Sequence, residues 1–369
     1  MDLDLTDDQE LLRETAARFI EDNCPLTTVR ELSESETGLA DGYLAEAANL
    51  GWFALLVDEE HGGGSISDNA IADLAVIAEE RGRFLQPGAF IPANCVARAL
   101  SRGGSETARA EVLPGIMGGE VIATWAAADP AGSWEAGAGV TATSEGGGTV
   151  LNGVKGVVQD AHIADWIMVT ARAADGVSHH LVAADAPGVT VQPLEGLDLS
   201  RRVSRLTFEE VTTSEPITGG LELHEELMQI AGLLTVAETI GALGQLFDIT
   251  LEYVKDRRAF GRPIGSFQAL KHQLADAGML LEMSRGLVSA AVKSVGEGRP
   301  DASEVASMAK SFIGDNGVEI SHTCFQMFGG IAYTWEHDQH LYYRRVVSDA
   351  SLYGEPAWHR ERICSVHAL

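Results

Sequence analysis

Three stretches with different hydrophobic periods follow one another along the chain. From Thr6 to about Ala110 apolar residues recur at helical spacing. Leu11, Leu12, Phe19 and Ile20 recur at roughly helical spacing, with acids and arginines between them, which predicts a helix. Thr6-Asp7-Asp8-Gln9 reads as its capping box, a hydroxyl at the N-cap and a carboxamide three residues later. ADLAVIAEERG over residues 72–82 predicts a second helix, stopped by its glycine. Between the two, Glu60-His61-Gly62-Gly63-Gly64 reads as a loop that needs backbone freedom.

The period changes over residues 121–211. Short β-type runs at 140–143, 149–151, 166–169, 180–183 and 205–208 are separated by Gly, Asp and Pro clusters. Gly146-Gly147-Gly148 predicts a hairpin tip, since no GxGxxG or GxxxxGK phosphate loop is present. From about Glu222 onward the helical period returns. Residues 227–253 are apolar on most faces, the signature of a buried helix, and residues 270–288 and 302–320 continue the pattern. The expected class is α+β: an N-terminal helical domain (1–118), a middle β domain (119–218) and a C-terminal helical domain (219–369).

Composition narrows this picture. A chain of 369 residues with 45% hydrophobic and 22% charged residues has the balance of a soluble globular protein with sizeable cores. The formal net charge of -28 repels phosphate backbones and anionic bilayers, so neither nucleic acid nor a membrane surface is an expected partner. Cys24, Cys95, Cys324 and Cys364 stand far apart, so reduced thiols are expected and no metal or disulfide framework. His337 and His340 lack a third ligand nearby in the sequence. The N-terminus lacks the basic and apolar regions of a signal peptide, and no run of 18 apolar residues occurs, so a cytoplasmic location without a membrane span is expected.

Several motifs resemble the acyl-CoA dehydrogenase family over essentially the whole chain. The most specific is Arg257-Arg258-Ala259-Phe260-Gly261-Arg262-Pro263-Ile264-Gly265-Ser266-Phe267-Gln268. In that family the residues matching Arg257, Phe260 and Gln268 contact the FAD of a neighbouring subunit. Arginine offers a charged fork to a pyrophosphate, phenylalanine an apolar face and glutamine an amide. Gln326-Met327-Phe328-Gly329-Gly330, continuing through Trp335-Glu336-His337-Asp338 and Tyr342-Tyr343-Arg344-Arg345, is similar to an actinobacterial branch of the family. There the match to Gln326, Gly329 and Gly330 also reaches the neighbour's FAD, near its adenosine half. Two weaker matches agree: residues 52–64, with Asp58 where proline is common, and residues 153–172.

The resemblance implies α,β-desaturation of an acyl-CoA thioester. A carboxylate removes the α-proton, FAD accepts the hydride, and electron-transferring flavoprotein is the expected acceptor. The family's base is a glutamate at one of two locations. The first lies 24 residues beyond Gly329, where this chain has Tyr353, followed by Gly354. The second lies 26 residues before Arg257, where it has Ala231, followed by Gly232. Where the family sets a Trp and a Thr against the isoalloxazine, the chain has Val157 and Gln159, and its Thr-Glu-Pro-type turn is the shortened Ala128-Asp129-Pro130-Ala131-Gly132-Ser133.

Residues that serve a neighbour's FAD are thus kept, and those that serve the chain's own are replaced. The expectation is the non-catalytic type of subunit in an α2β2 acyl-CoA dehydrogenase, a type associated with actinobacterial steroid catabolism, with a homologous partner supplying base and flavin pocket. Three alternatives stand beside it: a homomeric dehydrogenase with Glu355 as a shifted base, an oxidase or monooxygenase on the same fold, and a non-enzymatic structural subunit. Of the remaining polar residues, Glu238 is expected as a paired buried acid. His179-His180, Glu209-Glu210 and Glu225-Glu226 are expected on solvated faces, and Trp134 and Trp166 in packing.

Overall fold

Thr6 caps the first helix as its neighbours dictate: its hydroxyl accepts from the Gln9 N–H and its own N–H donates to the Gln9 carboxamide, both at 3.2 Å. This computed structural model describes residues 5–145, 148–213 and 216–367, so the tip expected at Gly146-Gly147 lies outside the described residues. The N-terminal helices are α1 (Asp7–Asn23), α2 (Leu26–Ser33), α3 (Tyr43–Ala48), α4 (Ala70–Arg83), α5 (Phe90–Gly103), α6 (Glu106–Glu111) and α7 (Leu113–Met117). Gly82 does not stop α4. A Cβ there would stand 1.8 Å from the Glu238 carbonyl, so this glycine is what lets α4 cross a C-terminal helix at backbone contact.

The middle domain is a mixed seven-stranded sheet: β1 (Ala123–Ala126), β2 (Val140–Glu145), β3 (Gly148–Gln159), β4 (Trp166–Ala173), β5 (Gly176–Ala183), β6 (Val189–Leu194) and β7 (Val203–Thr213). The spatial order is β1-β4-β2-β3-β7-β6, with β5 also pairing on β4. Val140, Leu151, Val158, Ile167, Phe208 and Val211 form its own core. Two strands had no clear sequence signal. β1 is buried at every position and so shows no alternation, and β6 is an edge strand carrying Pro193.

The C-terminal domain holds α8 (Gly220–Asp256), the hairpin β8 (Arg258–Ala259) and β9 (Arg262–Pro263), then α9 (Gln268–Gly296), α10 (Ala302–Phe328), α11 (Gln339–Ser351) and α12 (Pro356–Val366). α8 runs 37 residues, longer than its apolar stretch, because no Pro interrupts it at either end. It is long and apolar enough to cross a membrane, but 89% of its most apolar window is buried inside the protein, which makes it the central core helix. α4, α5, α9, α10 and α11 all pack against it. The architecture is therefore α+β, with helices at both ends of the chain and a β domain between them.

Candidate functional site

The segments carrying the family motif meet at one end of the C-terminal bundle. Val254, Leu274 and Met327 form a small core that ties the end of α8 to the start of α9 and the end of α10, and the Tyr253 and Phe328 rings lie 4.6 Å apart across it. Arg257 is the C-cap of α8, Gln268 opens α9, and Gln326 stands in the last turn of α10. All three are exposed, and among the described residues no carboxylate pairs with Arg257. Phe260 sits at the tip of the β8–β9 hairpin with φ 51°, beside Gly261 with φ 80°. A two-residue turn of this kind favours glycine or asparagine, so an aromatic there carries backbone strain of about 1 kcal/mol or more. Its ring is nevertheless 96% exposed. Strain without burial is what a ring held out for something outside the chain would show. Nothing lies within 4 Å of a Cβ built on Gly329 or Gly330, so the backbone after α10 is open to close approach. A guanidinium, an apolar ring, two carboxamides and bare backbone suit the pyrophosphate and adenosine of FAD.

The cleft between the sheet and the helices is built differently. Tyr353 is buried there, its ring stacked at 6.1 Å and 24° on Trp125 and tilted at 4.9 Å against Trp134. Its hydroxyl donates to the Gln159 carboxamide oxygen at 3.3 Å. Tyr353, where the resemblance expects the base, thus touches Gln159, where it expects a flavin-facing residue, and Trp125 and Trp134 pack on the Tyr353 ring. These residues do not fit an isoalloxazine. Burial pushes the Tyr353 phenol well above its usual range, so it is no base at neutral pH. Val157 lies at a β-bulge with φ 48°. Ala231 is buried within α8, where its carbonyl accepts from the Thr235 hydroxyl at 2.7 Å. Glu355 is exposed as the N-cap of α12, outside the cleft.

Two buried polar networks flank Tyr353. In the first, Arg201 from the loop before β7 reaches between Glu238 of α8 and Asp349 of α11 and pairs with both. Arg345 of α11 donates to Asp198 at 2.5 Å and to the Ser200 hydroxyl at 2.6 Å, and Arg81 of α4 stands 3.6 Å from Glu238. Burial opposes the Arg201 charge, but Asp349 and Glu238 outweigh it and its pKa is raised. The pairing expected for Glu238 is present, and Arg201 and Asp349 are partners that spacing alone gave no reason to choose.

The second network corrects an expectation. His179 and His180 are buried, not solvent-facing, because β5 lies between β4 and the start of α8. His179 Nδ1 meets the Thr170 hydroxyl at 3.0 Å, that hydroxyl accepts from Trp125 at 2.8 Å, and His179 Nε2 meets the Gly220 carbonyl at 3.2 Å. Burial pulls the His179 imidazole down to about 3. Glu225 and Glu226 are half-buried rather than on a free face, since Arg362 and Arg98 pair with them. Glu209 and Glu210 are exposed, Trp134 is buried and Trp166 half-buried.

A cavity of about 1040 Å³ opens between the N-terminal domain and the first turns of α8, lined among others by Val57, Ile71, Arg98, Leu221 and Ile230. Neither Tyr353 nor any residue of the exposed edge lines it. Among the described residues no group of His, Cys, Asp and Glu is placed to hold a metal ion, and all four cysteines are free.

Comparisons with known proteins show the family. The family descriptions "Acyl-CoA dehydrogenase, N-terminal domain", "middle domain" and "C-terminal domain" match residues 6–120, 124–211 and 218–366. The chain is 33% identical over 353 residues to "Acyl-CoA dehydrogenase IpdE2" of Mycolicibacterium smegmatis, covering 95% of this chain and 96% of that one. It is 30% identical over 352 residues to the protein of the same name from Mycobacterium tuberculosis, covering 95% and 94%. The structure of a variant of the "Tcur3481-Tcur3483 steroid ACAD" superposes with a TM-score of 0.89 at 27% identity, over 98% of both chains. The ChsE4-ChsE5 complex from Mycobacterium tuberculosis shares the fold, with a TM-score of 0.91 at 24% identity over 100% and 99% of the chains.

Proposed function

The chain belongs to the acyl-CoA dehydrogenase family, whose cofactor is FAD, and from that premise we propose that it is the non-catalytic subunit of a heteromeric, α2β2 enzyme. The observation that carries this reading is the contrast between its two flavin-related regions. Tyr353, Trp125 and Trp134 pack the chain's own cleft, while Arg257, Phe260, Gln268 and Gln326 stand exposed at the end of the bundle. FAD supplies the hydride acceptor when bound. Arg257 would pair with the pyrophosphate of the partner's FAD, Phe260 would offer it an apolar face, and Gln268, Gln326 and the open backbone at Gly329 and Gly330 would hold the adenosine half. The base that removes the α-proton belongs to the partner. The reaction class is α,β-desaturation of an acyl-CoA thioester, with electron-transferring flavoprotein as acceptor. The similarity to a protein described as a steroid ACAD supports a steroid-derived acyl group. In this reading the enzyme works in the cytoplasm.

The test is expression of the chain alone and together with a homologous subunit that carries the glutamate. Alone, the chain is expected to purify colourless and inactive. Together, the two are expected to hold one FAD per heterodimer and to desaturate substrate. One FAD per chain with full turnover in the chain alone would sink the proposal. The homomeric rival rests on Glu355, which faces solvent as a helix cap. Glu355→Gln is expected to leave the turnover of the assembled enzyme unchanged. A loss of two orders of magnitude or more would restore Glu355 as the base. An assembly that holds no flavin would favour the structural-subunit reading, and oxygen consumption without an acceptor would favour an oxidase.

A further inference from the structure

A second feature of the same end of the bundle takes no part in holding FAD in the reading above. Beyond Gly330 the chain turns back over α10 and α11 and leaves a cavity of about 300 Å³, lined by Leu197, Phe325, Tyr333, Trp335, Tyr343 and Arg344 among others. Its walls pack on one another. Phe325 meets Tyr333 edge-on at 4.7 Å and Tyr343 at 5.6 Å. Trp335 stacks on His340 at 5.2 Å, and the Arg30 guanidinium lies 5.9 Å from its centroid, itself held by Asp338 at 2.6 Å. Yet Tyr333 is 81% and Trp335 50% exposed. Two large rings that touch neighbouring rings yet are left largely in water are an arrangement that monomer stability does not explain. Arg344 donates one N–H to the Leu197 carbonyl at 3.2 Å, and among the described residues no carboxylate pairs with it. The volume stands at the lower limit of small-molecule sites, roughly 300 Å³, and suits a single large side chain. Trp, Tyr and Arg around a preformed pocket are the composition of a protein-binding hot spot.

We propose that this pocket receives an apolar side chain, flanked by a carboxylate, from the homologous partner subunit, and so anchors the heteromer independently of FAD. The inference rests on the subunit reading above. Three observations choose the occupant. The pocket shares the segment 329–335 with the edge assigned to the partner's FAD, so one docked chain spans both. Arg344, with which no carboxylate pairs among the described residues, offers a cation at the pocket wall to an acidic flank. A second copy would bring another net charge of -28 against this molecule, which disfavours self-association. The experiment uses the full chain co-expressed with homologous glutamate-bearing subunits, and compares wild type with Trp335→Ala, Tyr333→Ala, Arg344→Glu and Phe260→Ala, each checked for an unchanged melting temperature as the free chain. Assembly is read by light scattering and by dissociation constant, and flavin by absorbance. Trp335→Ala and Tyr333→Ala are expected to weaken assembly about 30-fold or more, the equivalent of a hot-spot truncation. Arg344→Glu is expected to weaken it with a reduced salt dependence, whereas Phe260→Ala lowers flavin content and leaves the heteromer intact. Assembly unchanged by all three pocket variants overturns the pocket while leaving the subunit reading standing. Assembly that needs the pocket but holds no flavin overturns the subunit reading and leaves the pocket. A homodimer of the chain alone that Trp335→Ala dissolves overturns the choice of partner.

Discussion

Tyr353 is a single buried residue on which the packing of the cleft turns. A glutamate there would be a flexible, ionisable group. A buried phenol instead joins Trp125 and Trp134 in one aromatic layer, with Gln159 satisfying its hydroxyl. Tyr353→Phe removes only a long hydrogen bond, at a cost of about 1 kcal/mol or less. Tyr353→Ala leaves a hole between two tryptophans, and its expected cost is about 3–5 kcal/mol, by analogy with other large aromatic truncations in cores. Urea unfolding of the free chain measures both; equal midpoints for the two variants would mean that the ring does not fill the cleft. The identity of residue 353 was legible in the chain, because a count from Gly329 reaches it. Its packing was not, because Trp125 lies 228 positions earlier and no local period links the two.

At the scale of elements, α8 and α11 are held to the β domain by charge as well as by apolar contact. Arg201, Arg345 and Arg81 face Glu238, Asp349 and Asp198, three cations against three anions in a region almost without solvent. Such a cluster is worth little over an apolar core of the same shape, but removing one member strands its partners. Glu238→Ala is therefore expected to cost about 3–5 kcal/mol, seen as a lower urea midpoint at unchanged slope. A midpoint within experimental error of wild type would mean that Arg201 finds another partner. The helices themselves were largely legible, since a run as long and as apolar on most faces as residues 227–253 reads as a buried helix without tertiary information. The crossing of α4 over α8 was not. Gly82 looks in the sequence like a helix stop, and only the approach of the Glu238 carbonyl gives it its role.

For the whole molecule, burial of imidazoles sets the response to acid. His179 and His359 are pulled down to about 3, and His180 and His224 to about 4, from an ordinary value of 6.5, each chiefly by desolvation. A depressed folded-state pKa means that the unfolded chain binds the extra proton. The stability these groups contribute is whole above about 6.5 and is lost as the pH falls toward their native values. Asp160 and Glu80 run the other way, since burial raises both to about 7 and their neutral forms favour the fold in acid. Burial also lowers His337 and His340 and raises Asp349, so six imidazoles stand against three carboxyls and remain dominant. The melting temperature is expected to fall between pH 7 and pH 5, with a shallower fall in His359→Gln. Equal melting temperatures at the two pH values would contradict the burial of these rings.

The sequence by itself determined the family and the α+β order of its domains. These depend on local period and on motifs whose residues are neighbours in the chain: the capping box at Thr6, the apolar run of α8, and the string from Arg257 to Gln268. Tertiary structure alone decided which of those positions face each other and which face outward. It buried His179 and His180 that had read as surface, closed the cleft with Trp125 and Trp134, and set Phe260, Tyr333 and Trp335 out in water. The reason is physical. Burial is fixed by what packs on the far side of a residue, and that partner is usually distant in sequence, so the segment itself carries no mark of it.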